Sequence, residues 1–214
     1  YFFVEKKKSV YQQLLHTLKD RGYKDRIGKD IKLLHGEFDD HEGAIRTFIA
    51  SKSPKNGRSI FLLDQYGYSQ VPTALIRQIL SELPRAEIIL TFNVDAFINF
   101  ANDAHANKLL QQIGVPDVLR GRTIDDIKKN EKDFRLYIQA CLYQGLVDAC
   151  GARYYTPFFV RNPDGHGDYW LVHLSQVPRA RDVMARIHWK KNNNFIHYGG
   201  AGINMFQVLG YKPE

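Results

Sequence analysis

Four short apolar runs, each followed by an amphipathic stretch, limit what this chain can fold into more than any other feature of its sequence. YFFVE (residues 1–5) reads as a strand, and SVYQQLLHTLKD (9–20) as a helix with Ser9 and Gln12 at capping-box spacing. IKLLHG (31–36) is the next strand, and DDHEGAIRTFIAS (39–51) the next helix, opened by acidic residues that suit the positive end of a helix dipole. After a turn, SPKNGR (53–58), the run SIFLLD (59–64) reads as a fully buried strand that stops at a carboxylate. PTALIRQILSEL (72–83) is a helix with Pro72 in its first turn, AEIILTF (86–92) a fourth strand, and VDAFINFANDA (94–104) a further helix. Strands that alternate with helices predict an α/β fold with a parallel sheet.

The second half changes character. TIDDIKKNEKDFRLYIQACLYQGLVDAC (123–150) carries one long helical pattern with a possible break at Gly145. ARYYTPFFVRNPDGHGDYWLVHLSQ (152–176) reads as two strands joined by a Gly/Pro/Asp-rich turn, an antiparallel hairpin. PRARDVMARIHWKK (178–191) is a last amphipathic helix. There is no repeat and no long linker. The expectation is a single domain over residues 1–214, in which one mostly parallel sheet ends in an antiparallel hairpin.

The bulk properties narrow the function classes. The 214 residues are 44% hydrophobic and 25% charged, ordinary values for a globular chain. No apolar run is long enough to span a bilayer and no signal peptide is visible, which argues against a membrane protein. Cys141 and Cys150 lie nine residues apart on one helical stretch, too far for a disulfide, and read as buried thiols in a reducing cytoplasm. The net charge of +7 favours a polyanionic partner such as nucleic acid. The chain opens YFFVEKKK, already in strand-like sequence and without Met, so an N-terminally incomplete version of a longer protein is expected.

In a parallel α/β sheet, ligands bind outside the carboxyl ends of the strands. Glu5, Gly36 with Glu37, Asp64, and Asn93 with Asp95 all fall at such ends. Glu5 can accept the two hydroxyls of a ribose, or it is a solvated glutamate beside Lys6, Lys7 and Lys8; with Lys7 it also has the spacing of a metal-dependent nuclease site. Gly36, Glu37 and Phe38 can contact an adenine, while Asp39 or Asp40 caps the following helix. Asp64, Gln65 and Tyr66 can hold and stack an exocyclic base amine, or form a plain strand-end turn. In RIHWKKNNNFIHY, the residues Arg186, Trp189, Lys190 and Lys191 suit phosphate and base contact; the alternative puts Trp189 in the core with the lysines solvated. The histidines show no metal-ligand spacing, so no metal is expected.

FLLDQYGYSQVPTALIRQIL, then EIILTFNVDAFINF, then the late YYTPFFVR and DYWLVHLS segments resemble the three-Cys-motif partner proteins, which are similar to class I S-adenosylmethionine-dependent methyltransferases. The family strand continues as Asp-Pro-Phe-Gly; here Asp64, Tyr66 and Gly67 match, and Gln65 stands where the family has proline. The strand ending in an Asn-Phe pair has its counterpart in Phe92 and Asn93. The resemblance implies a Rossmann-like methyltransferase fold, S-adenosylmethionine as cofactor, Glu5 at its ribose, and a three-Cys-motif protein as a possible partner. It also implies a strand and glycine-rich loop between the strands read here as first and third. These either precede Tyr1 or come from NFIHYGGAGINMF, with Gly199, Gly200 and Gly202, at the C-terminal end. Three functions stay open: methylation of an exocyclic amine on a nucleic-acid base, a degenerate methyltransferase-like domain that binds nucleic acid or protein, and a metal-dependent nuclease.

Overall fold

The computed structural model describes residues 1–52, 57–64, 71–93, 97–98, 103–160, 169–191 and 196–197. The chain divides into two compact units, residues 1–57 and 58–214.

In the first unit, β1 (Phe2–Glu5) pairs in parallel with β2 (Lys32–His35), from Phe2 opposite Lys32 to Glu5 opposite His35. The crossover is α1 (Lys8–Leu18), continued by a π-helical turn (Lys19–Tyr23) and a 3-10 turn (Lys24–Arg26). α2 (Phe38–Lys52) follows β2. The capping box expected at Ser9 does not form: the helix begins one residue earlier, Lys7 is its N-cap, and no side chain caps it. The Lys7 N–H instead donates to Glu5 Oε1 at 2.7 Å, so a carboxylate from the strand end does the work of a cap. At α2, Asp40 Oδ2 accepts the Glu37 N–H at 3.2 Å, the capping role expected of Asp39 or Asp40.

In the second unit, β3 (Ser59–Leu63), β4 (Ala86–Phe92), β5 (Tyr154–Val160), β6 (Tyr169–Ser175) and β7 (Ile196–His197) form one sheet in the order β3-β4-β6-β5-β7. The expected hairpin is there as antiparallel β5 and β6, and β6 lies between β5 and β4. The sheet is mixed rather than mostly parallel: β3–β4 and β5–β7 are parallel, and both pairings of β6 are antiparallel. The described strands also fall into two sheets rather than one continuous sheet. β7 sits at the edge away from β3, so the C-terminal strand does not stand beside β3 as the permuted arrangement required. Residues 199–202 lie outside the described residues.

One face of this sheet is a dense core. Ala86, Ile88, Leu90 and Phe92 of β4 and Trp170, Val172 and Leu174 of β6 are buried, and Phe92 stacks on Trp170 with ring centroids 5.7 Å apart. α6 (Phe134–Cys150) packs there through Tyr143, whose ring meets the Trp170 ring edge-on at 5.9 Å. α6 is buried over most of its surface, from Tyr137 to Cys150, and leaves Gln144 and Asp148 exposed. The expected single helix over 123–150 is two, α5 (Ile124–Asn130) and α6, with the break at Glu131–Asp133 rather than at Gly145. Arg122 fixes that junction: its guanidinium pairs with Asp126 and Glu131 and lies 5.1 Å from the Tyr137 ring centroid. Gly145 is required by close approach instead, because a Cβ there would lie 2.3 Å from Val118 Cγ2. α3 (Thr73–Glu82) is tied to its neighbours by its polar groups. Thr73 Oγ1 donates to the Ile113 carbonyl at the end of α4 (Asp103–Ile113), and Arg77 donates to the Asp148 and Ala149 carbonyls at the end of α6.

The other face is covered over only part of its width. α7 (Pro178–Lys191) lies over β5 and β6, with the His188 ring 4.3 Å from that of Phe158. On β3, Ile60 and Leu62 are 69% and 67% exposed, whereas Phe61 and Leu63 are 7% exposed each. The strand read from its sequence as fully buried is therefore buried on one face only.

Candidate functional site

β1 and β2 end side by side, which brings Glu5 and the turn after β2 to one edge of the first unit. The Gly36 N–H donates to the Glu5 carbonyl at 3.2 Å and holds the turn against the strand end. Gly36 has φ 147°, and a Cβ there would sit 2.8 Å from His41 Nε2. That nitrogen lies 3.1 Å from the His35 carbonyl. A carbonyl only accepts, so Nε2 carries the proton. The half-buried Glu5 has Oε1 engaged by the Lys7 N–H, while its second oxygen has no hydrogen-bond partner among the described residues. Glu37 is exposed and pairs with Lys6 at 2.6 Å, a surface contact that holds the Lys6 ammonium above its ordinary pKa. Asp39, desolvated and close to Glu37, Asp40 and Glu42, has its carboxyl pKa raised. Phe38 is half-buried in the first turn of α2. Glu5, Gly36, Glu37 and Phe38, all singled out from the sequence as cofactor contacts, thus share one edge.

In the second unit, the parallel register of β3 and β4 sets Leu63 opposite Leu90, which puts Asp64 level with Thr91. Thr91 Oγ1 lies 3.1 Å from Asp64 Oδ1 and 3.3 Å from the Leu63 carbonyl, so one hydroxyl steadies both the carboxylate and the strand end. Thr91 escaped the sequence reading; its only signal was a hydroxyl two residues before Asn93. Asp64 is exposed, and Asn93 is half-buried at the end of β4. Gln65 and Tyr66 lie outside the described residues.

Arg186, Trp189 and Lys190 are on α7, and the backbone of Lys191 ends it. Trp189 is 54% exposed, and the buried residue of that turn is His188, so the alternative that placed Trp189 in the core is overturned. Arg186, Trp189 and Lys190, with Ala185, line one shallow hollow. A row of cross-strand partners locates this end of the helix. Asp64 is level with Thr91, Thr91 is opposite Leu171, Leu171 is opposite Phe158, and Phe158 carries the His188 ring. The C-terminal end of α7 therefore lies at the Asp64 end of the sheet, three strand spacings or ~14 Å across from it.

Beneath α7, on the face it covers, His173 is 2% exposed and its Nε2 lies 3.0 Å from Glu87 Oε2. Burial lowers the His173 pKa against the opposing pull of Glu87. Both cysteines are free and buried; burial pushes the Cys150 thiol up to about 12 and raises that of Cys141. The described residues contain no group of three His, Cys, Asp or Glu side chains placed to hold a metal ion. None of the described helices is long and apolar enough to cross a membrane. No protein-family model matches the chain, and no curated protein matches it.

Proposed function

We propose that the protein is an S-adenosylmethionine-dependent methyltransferase acting on an exocyclic amine of a nucleic-acid base, in a reducing cytoplasm. The observation that carries this reading is the strand arrangement. β3 and β4 run parallel, the antiparallel hairpin follows them in the same sheet, and Asp64 closes β3. In the other unit, β1 pairs in parallel with β2 and ends in Glu5. Among the described residues β1 pairs only with β2 and β3 only with β4, so each has an edge without a neighbour.

The described residues fit the adenosine end of the cofactor. Among the described residues Glu5 keeps one oxygen without a hydrogen-bond partner for a ribose hydroxyl, and Gly36, Glu37 and Phe38 stand beside it for the base. Bound, the cofactor supplies an electrophilic methyl group. The chain's own part is orientation: Asp64, steadied by Thr91, would accept a hydrogen bond from the exocyclic amine and so direct its lone pair. Gln65, which replaces the family's proline, and Tyr66 would face the amine beside it, and Asn93 closes the neighbouring strand.

Calorimetric titration of S-adenosylmethionine into the full-length protein tests the reading. Binding that is lost in Glu5→Ala supports it, and a folded protein that takes no cofactor refutes it. In transfer assays, Asp64→Ala should abolish activity without unfolding, whereas Gln65→Pro should preserve or raise it. One observation favours a second reading, a binding domain without catalysis: Oε1 of Glu5 and Oδ1 of Asp64 already hold structural hydrogen bonds. That domain would bind nucleic acid or a three-Cys-motif protein and leave the cofactor untouched.

A further inference from the structure

We propose that the outer face of α7 is a platform for an unpaired nucleic-acid strand, with one base stacked on the Trp189 indole and the backbone phosphates on Arg186 and Lys190. The inference deepens the nucleic-acid half of the reading above and uses none of its cofactor chemistry.

The residue order of the helix produces the platform. α7 buries Ala180 and His188 toward the sheet. Each helical residue turns the chain by about 100°, so Trp189, one past His188, is carried off the buried side, and its 54% exposure shows the result. Ala185 lies one turn earlier in the same row and adds no bulk beyond its methyl group. Arg186 and Lys190 form the adjacent row, also one turn apart, with ~6 Å between their Cβ atoms. The four residues line the hollow, and no carboxylate is among them. The acid on this helix, Asp182, stands one turn before Arg186 in the basic row and lies 3.8 Å from Arg181.

A ring 54% exposed, with two cationic side chains in the next helical row one turn apart, meets the two needs of a single strand. The base wants a flat apolar surface, and the phosphates beside it want positive charge. A duplex keeps its base faces stacked internally and cannot use the ring. A membrane is the poorer occupant on geometric grounds. Val183 and Ile187, the other exposed apolar residues of α7, lie across the basic row from Trp189, so no single plane receives all three. The platform is also at the Asp64 end of the sheet, so a strand held by Trp189 can run on toward that carboxylate.

The two tryptophans make the test direct, because Trp170 is fully buried and Trp189 is exposed. A mixed-sequence single-stranded oligonucleotide and its duplex are titrated without cofactor, by tryptophan emission and by anisotropy of a labelled strand. The expected result is saturable quenching and at least about tenfold tighter binding of the single strand. Trp189→Ala, whose fold is checked by its thermal midpoint, should remove the quenching and weaken binding by about 5- to 150-fold. Arg186→Ala with Lys190→Ala should flatten the dependence of log K on log salt by about 1.4, or 0.7 for each phosphate left without its cation. Equal affinity for duplex, unchanged affinity in Trp189→Ala, or no binding of either nucleic acid would overturn the platform. A protein that binds the strand and no S-adenosylmethionine overturns the methyltransferase reading alone; one that binds the cofactor and no strand overturns the platform alone.

Discussion

Leu62 and Leu63 are neighbours on one strand, share backbone, propensity and chemistry, and differ only in the face they present. Leu62 is 67% exposed and Leu63 is 7% exposed. Removing a leucine side chain that is already two-thirds in water forfeits about a third of its full burial value, or ~0.5–1 kcal/mol. Removing the buried one forfeits the transfer energy and leaves a cavity, at a cost of ~2–5 kcal/mol. The predicted difference between Leu62→Ala and Leu63→Ala is therefore at least ~1 kcal/mol, which moves a urea midpoint by roughly 0.3–1 M for a domain of this size. Urea unfolding followed by tryptophan emission measures it, because Trp170 and Trp189 both belong to the unit that contains β3. The two variants should keep the parent slope, so that the midpoint shift reads stability alone. If Leu62→Ala costs as much as Leu63→Ala, something covers that face of β3 in solution, and the half-bare sheet is wrong.

Gly36→Ala should destabilise the first unit by about 1–3 kcal/mol, because the new methyl would meet the His41 ring and the φ of 147° suits only glycine; hydrogen exchange at the β1 and β2 amides reads the loss. His173 makes the second unit sensitive to acid. Its folded pKa lies below the ordinary value of 6.5, so the unfolded chain binds the proton more readily. Its contribution is fully present above pH 6.5 and is lost as the pH falls through the folded pKa, with a slope of at most about 1.4 kcal/mol per pH unit; His173→Phe should flatten that part of a stability–pH curve. Arg77→Ala removes two charged donors from the C-terminal carbonyls of α6 and should cost about 1.5–3 kcal/mol in the same urea assay.

The elements were legible because the periods were clean. AEIILTF is apolar at every second position from Ala86 to Phe92, and in the structure its residues alternate buried and half-buried along the whole strand. The break before α6 was not legible, since Asn130–Asp133 contains neither glycine nor proline and the junction depends on Arg122 reaching two carboxylates that lie four and nine residues on. SIFLL gave no sign of its bare face, because a run of apolar residues carries no period to distinguish its two sides. The placement of β6 between β4 and β5 is likewise absent from the sequence, whose periodicity says which segments are strands but not their order in a sheet. At the candidate sites, side chains at strand ends were found because chain order delivers them there. Thr91 and the Lys7 N–H were missed because each acts on a residue brought close by pairing or by a turn.

The edge of β3 that has no strand beside it among the described residues has a consequence for how the protein behaves in solution. Ser-Ile-Phe-Leu-Leu contains no charge and no proline, the usual devices by which an edge strand discourages strangers. Where no further strand of the chain pairs with it, this strand, with two apolar side chains beside its edge, is a template for self-association. A lysine at position 62, outward and at the middle of that edge, would act as a gatekeeper and raise the concentration at which the protein stays dispersed.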